Sequence, residues 1–124
     1  MTRNSCTPTH KMAQGILKEV LSNLPLPPGW VCQHVETEYL YEGYGKSYKI
    51  DVHGQWRYKG EKYELFVEIQ KNKNDKEFIE KSKYFTGINL MDSKKIFIVL
   101  WEKNIPSDSM EMWSWFKENI QTPW

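Results

Sequence analysis

A chain of 124 residues fits one domain with a modest core rather than two. Hydrophobic residues at 40% and charged residues at 27% make the chain too apolar for a disordered tail and too charged for a membrane span. Seventeen Lys and Arg against sixteen Asp and Glu leave a net charge of +1, so any binding of nucleic acid must come from local patches rather than from the field of the whole molecule.

The N-terminus, Met1-Thr2-Arg3-Asn4-Ser5, leads into no apolar signal segment, and no apolar run approaches the ~20 residues that cross a bilayer. The expectation is a cytoplasmic protein with no membrane partner. Cys6 and Cys32 lack the spacing and neighbouring ligands of a zinc site and read as free thiols.

Met12, Ile16, Leu17, Val20, Leu21 and Leu24 recur at helical spacing, entered at Thr7-Pro8 and stopped at Pro25-Leu26-Pro27-Pro28-Gly29. Trp30 to Val35 follows as a short strand, and Tyr39 to Lys46, with Gly43 and Gly45, reads as an irregular loop. From Ser47 the pattern alternates, with Tyr48, Ile50 and Val52 on one side and Lys49, Asp51 and His53 on the other. Lys62 to Gln70 does the same, and Tyr58-Lys59-Gly60-Glu61 supplies the hairpin turn between the two strands. Asn74 and Glu77 stand at capping-box spacing before a second helix carrying Phe78, Ile79, Ser82 and Phe85, with Gly87 at its end. Lys95 to Trp101 is the nearly continuous apolar run of a strand covered on both faces. Asp108 and Glu111 cap a last helix bearing Met112, Trp113, Phe116 and Ile120. The expected order is αβββαβα: one α/β domain over 1–124, its core about 11–101, its last helix about 109–121, and a mixed sheet between helices.

A turn centred on Lys59-Gly60 pairs residues whose numbers sum to 119, which sets Asp51 across from Glu68. Directly opposed Cβ atoms are ~4.5–5.5 Å apart, so two carboxylates there repel unless something neutralises them. Mg²⁺ would, since it takes hard oxygen ligands from one or two carboxylates and keeps several waters. Asp51 and Glu68 provide that set, with the Ile69 carbonyl as a third donor. A slip of one residue, or a bulge at Gly54, would instead separate the pair and leave one carboxylate in solvent.

An Asp on one strand, a hairpin, and Glu-x-Lys or a variant at the end of the next strand, followed by a helix and an apolar strand, resembles the PD-(D/E)XK nuclease superfamily. The residues here are Lys49-Ile50-Asp51-Val52, sixteen intervening positions, and Phe66-Val67-Glu68-Ile69-Gln70-Lys71. The resemblance runs from the first helix to Leu100 and implies a restriction-endonuclease-like core. It further implies Asp51 and Glu68 as ligands of Mg²⁺, for which Mn²⁺ can substitute, and Gln70 in the position of the motif Lys. Gln70 departs from the pattern, since an amide hydrogen-bonds a water or a phosphate but brings no charge. Some members take an additional acid from the first helix, for which Glu19 is the candidate; Glu36 and Glu38 are alternatives.

The activity so implied is Mg²⁺-dependent endonucleolytic hydrolysis of DNA, selective for structure more than sequence, by a homodimer; RNA is a second substrate class. The alternative is a catalytically inactive module of the same fold that binds nucleic acid or a protein. From Lys71 to Lys95 seven Lys face four acids, a basic segment suited to phosphate contacts. Lys71, Lys73, Lys81 and Tyr84 are its nucleic-acid-binding candidates. Arg3 and Arg57 are the two Arg available for guanine readout. His53 is a candidate general base, and Trp115 and Trp124 fall off the last helix's apolar stripe as candidates for stacking or a dimer contact.

Overall fold

The computed structural model describes residues 8–43 and 45–124. Cys6 and Arg3 lie outside them. The elements run α1 (Pro8–Ser22), β1 (Val31–Gly43), β2 (Lys46–Tyr58), β3 (Glu61–Gln70), α2 (Lys76–Met91), β4 (Lys95–Trp101), a 3₁₀ turn (Glu102–Asn104) and α3 (Ser109–Asn119). The sheet has the order β1-β2-β3-β4, antiparallel through the first three strands and parallel between β3 and β4. It is an α/β domain built on a mixed sheet. Among the described residues no helix is long and apolar enough to cross a membrane.

Alternation along β3 decides what each helix covers. Leu65, Val67 and Ile69 join Ala13, Leu17 and Leu21 of α1 and Met112 and Phe116 of α3 in the larger core. Phe66 faces the other way, into a smaller core with Ile50 and Phe85 of α2. β4 is similarly divided, Ile96, Ile98 and Leu100 on the first side and Phe97 on the second. Both of its faces are covered as expected, yet Leu100 is its one buried residue, because β4 is an edge of the sheet.

Several boundaries differ from expectation. The segment from Tyr39, read as a loop for its glycines, continues β1 to Gly43, since Tyr39 and Tyr41 pack against the smaller core. The β1–β2 bulge falls between Cys32 and His34, while Gly54 pairs regularly on both sides, with Val35 and with Leu65. Asp75, not Asn74, caps α2, its side chain accepting from the Phe78 N–H. The helix runs past Gly87 to Met91, held by Ile88 against the smaller core. Asp108 caps α3 as expected, accepting from the N–H groups of Met110 and Glu111. Trp124 packs on Trp30 and Trp56, and Trp115 also lies against the larger core.

Candidate metal site

The hairpin turn has Lys59 and Gly60 at φ 50° and 78°, both positive as a two-residue turn of this kind requires. It fixes the expected register, from Tyr58 opposite Glu61 to Val52 opposite Val67. One further step would oppose Asp51 and Glu68, and there the ladder ends. Beyond it the start of β2 pairs with β1 while the end of β3 pairs with β4, so the sheet splits between the two acids.

The distortion extends across β2. Ile50 packs in the core under α2 and Val52 in the core under α1, so the alternation of faces skips a step at Asp51. Glu38, which the β1 register would place opposite Asp51, is missing from the pairs and has φ 50°, an uncommon conformation for a residue with a Cβ. Its carboxylate accepts from Lys11 at 2.7 Å.

The Asp51 carboxylate occupies the split. Its Oδ2 accepts from the Ile69 N–H at 2.7 Å, and its Oδ1 lies 3.2 Å from His10 Nε2 and 3.5 Å from Gln14 Nε2. The Asp51 N–H in turn donates to Glu68 Oε1 at 3.2 Å. Residues of a strand present N–H and C=O to the same side, so the Ile69 carbonyl leaves the strand edge that its N–H does, toward Asp51.

Glu68 is nearly buried, and from α2 Lys81 reaches its Oε2 at 3.1 Å and the Lys49 carbonyl at 2.6 Å. Burial, reinforced by the charge of Asp51, pushes the Glu68 carboxyl up to about 7 against the pull of Lys81. The hydrogen bond to Asp51 raises the pKa of His10 in spite of its burial. Two hard-oxygen side chains whose mutual repulsion is incompletely relieved, with a carbonyl beside them, fit the donor set of Mg²⁺, which keeps water for its remaining positions. Among the described residues no three His, Cys, Asp or Glu side chains are grouped to hold a metal, so the side chains that such a site would draw on are these two carboxylates.

Other candidates fall elsewhere. Gln70 Nε2 donates to the Asn72 carbonyl at 2.8 Å, turned along the loop after β3. Glu19 is exposed, because the side of α1 that meets Asp51 carries His10 and Gln14, four residues apart and therefore on one helical face. Glu36 and Glu38 are exposed on β1. Lys81 is buried in its pair with Glu68, not presented to a phosphate on the surface. Tyr84 stacks on Tyr48 at 4.7 Å and its hydroxyl overlies Gly43. Arg57 donates to the Gly60 carbonyl. Lys71 and Lys73 are exposed at the end of β3.

His53 is fully buried, with Nε2 2.8 Å from Glu64 Oε2 and Nδ1 3.0 Å from His34 Nε2, and Tyr39 stacks on its ring. Both nitrogens are engaged away from Asp51, which removes it as a base there. Lys95 donates to the other oxygen of Glu64 at 2.7 Å. His10 and Gln14 are absent from the sequence-based candidates, and Lys81 is among them only as a phosphate contact, not as the partner of Glu68. His10 and Gln14 carried a signal, two polar residues four apart on a helix otherwise apolar on that side, but nothing in the spacing directs Lys81 at Glu68.

The chain matches no family model, no curated protein and no solved structure.

Proposed function

We propose that this protein is a Mg²⁺-dependent endonuclease that hydrolyses phosphodiester bonds in DNA, with Asp51, Glu68 and the Ile69 carbonyl holding the ion. The observation that supports this reading most is the convergence of Asp51 and Glu68 where the sheet splits, since an ordinary solvated pair would need neither a broken ladder nor a backbone N–H directed at each carboxylate. An ion held by these groups would supply Lewis acidity for activating water and for drawing charge from the scissile phosphate.

The remaining roles belong to the chain's own groups. The Ile69 N–H and His10 fix the orientation of Asp51, and Lys81 does the same for Glu68. Lys81 also brings beside Glu68 the positive charge that Gln70 lacks. A homodimer would present two such sites to the DNA.

The second reading, an inactive module of the same fold, is favoured by one feature. Lys81 already neutralises a Glu68 side chain that is 4% exposed, as a purely structural ion pair would. Calorimetric titration with Mn²⁺, followed by incubation of supercoiled, branched and single-stranded DNA with Mg²⁺, decides between them. Heat of binding that disappears in Asp51→Asn, together with cleavage that EDTA stops, supports the nuclease. Metal-independent behaviour of both proteins and intact DNA supports the module.

A further inference from the structure

An open cleft of about 330 Å³ lies at the carboxyl ends of β3 and β4, lined by Lys71, Lys73, Trp101 and Lys103. Its position follows from the topology. β3 and β4 are parallel, with Gln70 opposite Trp101, so the residues just beyond both strands emerge at one end of the sheet, where open α/β sheets place their ligands. Lys71 and Lys73 follow β3, and Lys103 sits in the 3₁₀ turn that follows β4.

Among the described residues the lining is three lysines and a tryptophan, with no acid. All three lysines are exposed. Trp101 is half-buried, its ring fixed edge-on against Phe78 of α2 at 5.6 Å and 74°. Three charges around a fixed aromatic ring match phosphates linked to a planar base, because the ring supplies stacking that any base can use and the lysines follow the backbone. A base within a duplex is already stacked on both sides, so the ring selects an unpaired nucleotide.

We infer that the Lys71–Lys73–Trp101–Lys103 cleft binds an unpaired nucleotide of a nucleic-acid strand, its base stacked on Trp101 and its phosphates held by the lysines. The class of occupant follows in part from the nuclease reading above, while the cleft itself stands on its own lining. Gln70 is two residues beyond Glu68, about 6.6 Å along the strand, and alternation puts both on the face of the sheet that carries Trp101. On the nuclease reading a strand engaged beside Glu68 would reach the cleft, so the substrate would carry a single-stranded stretch next to the cleaved bond.

The test measures fluorescence anisotropy of a labelled twelve-residue oligothymidylate in EDTA, which isolates binding from metal and cleavage. Trp101→Ala should lose at least about five-fold in affinity, as expected for one stacked base, and Trp101→Phe should keep most of it. Lys71→Gln, Lys73→Gln and Lys103→Gln combined should lower the slope of log K against log salt by about 2, from ~0.7 per phosphate contact on a single strand. Wild-type protein should bind an abasic strand of equal length more weakly by a factor similar to the Trp101→Ala loss. Should Trp101→Ala fail to fold, the Phe variant, the triple Lys variant and the abasic strand still carry the test. Equal affinity for abasic and normal strands, or an unchanged affinity in folded Trp101→Ala, overturns the base site. An unchanged salt slope in the triple variant overturns the phosphate contacts. Stacking at Trp101 without Mg²⁺-dependent cleavage would retain the cleft and reject the nuclease; cleavage without any Trp101 effect would do the reverse.

Discussion

Asp51 and Glu68 are joined through the main chain: the Asp51 N–H donates to Glu68 Oε1 at 3.2 Å, and the neighbouring Ile69 N–H returns to Asp51 Oδ2 at 2.7 Å. The Asp51 carboxylate thus takes the place of the ladder carbonyl that the Ile69 N–H would have used in a continued hairpin, whereas the Asp51 N–H, one pair away, would have faced β1. Both N–H groups are paired here, and both acids are anchored facing one gap.

Replacement of Asp51 separates these two roles. Asn keeps an acceptor oxygen for the Ile69 N–H, so Asp51→Asn should fold with a nearly unchanged melting temperature while losing Mn²⁺ binding and at least a hundred-fold in DNA cleavage. Asp51→Ala should lose the same activity and in addition about 1–3 kcal/mol of stability, since it leaves a buried N–H without a partner. Gln70→Lys should retain cleavage. Thermal melts beside a plasmid assay check all three, and cleavage by purified Asp51→Asn at the wild-type rate would remove Asp51 from the site.

Lys81 and Glu68 are coupled by burial. Lys81→Met should cost about 1–3 kcal/mol, the penalty for leaving buried acceptors without their donor, because Glu68 and the Lys49 carbonyl both lose a donor and Glu68, freed from the pull of Lys81, takes up a proton at neutral pH. Adding Glu68→Gln to Lys81→Met should recover more than 1 kcal/mol, since glutamine is neutral without taking up that proton. Urea unfolding of the four proteins of the cycle gives the coupling directly. Additive losses would show that the 3.1 Å contact carries no net energy.

What the sequence revealed of this site, and what it concealed, depended on range. The Lys59-Gly60 turn is local chemistry, and once it is centred the register that brings Asp51 and Glu68 together follows by counting. The elements were legible for the same reason, as the periods of α1 and β3 and the cap at Asp108 are set by neighbouring residues. Tyr39 to Gly43 is strand rather than the expected loop because tertiary packing of Tyr39 and Tyr41 overrides the local signal of glycine. The split at Asp51 has no local signature, since it arises from two ladders diverging. Nor does a solvated lysine differ in spacing from Lys81, whose partner is thirteen residues away on another element.

Glu64 gives stability a distinct acid limb. Burial pushes its pKa up, but the His53 and Lys95 pairs together outweigh burial and hold it at about 2, from an ordinary 4.5. A carboxylate depressed in the folded state stabilises above its unfolded value, and that contribution is lost as pH falls from about 4.5 through 2. The difference in unfolding free energy between wild type and Glu64→Gln should therefore be on the order of 3 kcal/mol at pH 6 and shrink toward zero near pH 2. Paired denaturant titrations across this range test it, and a difference constant with pH would mean that Glu64 contributes by packing alone.

Gly54 is required by Trp56 rather than by a bulge. A Cβ at Gly54 would lie 2.5 and 2.8 Å from two atoms of the Trp56 ring, nearer than real Cβ atoms approach, and the ring is fully buried with Trp124 at its edge. Gly54→Ala should thus cost about 1–3 kcal/mol, the usual penalty for overpacking a core, and lower the melting temperature by roughly 4–12 °C for a chain of this size. The Trp56 indole N–H is buried with no hydrogen-bond partner among the described residues, so Trp56→Phe should lose packing area alone. In a Trp56→Leu background the obstructing ring is gone. There Gly54→Ala should become neutral or gain about 0.4–1 kcal/mol, because alanine restricts the unfolded chain more than glycine does. Calorimetric melts of the single and double variants measure the reversal, and a Gly54→Ala penalty that persists without the indole would place the constraint in the β2 backbone instead.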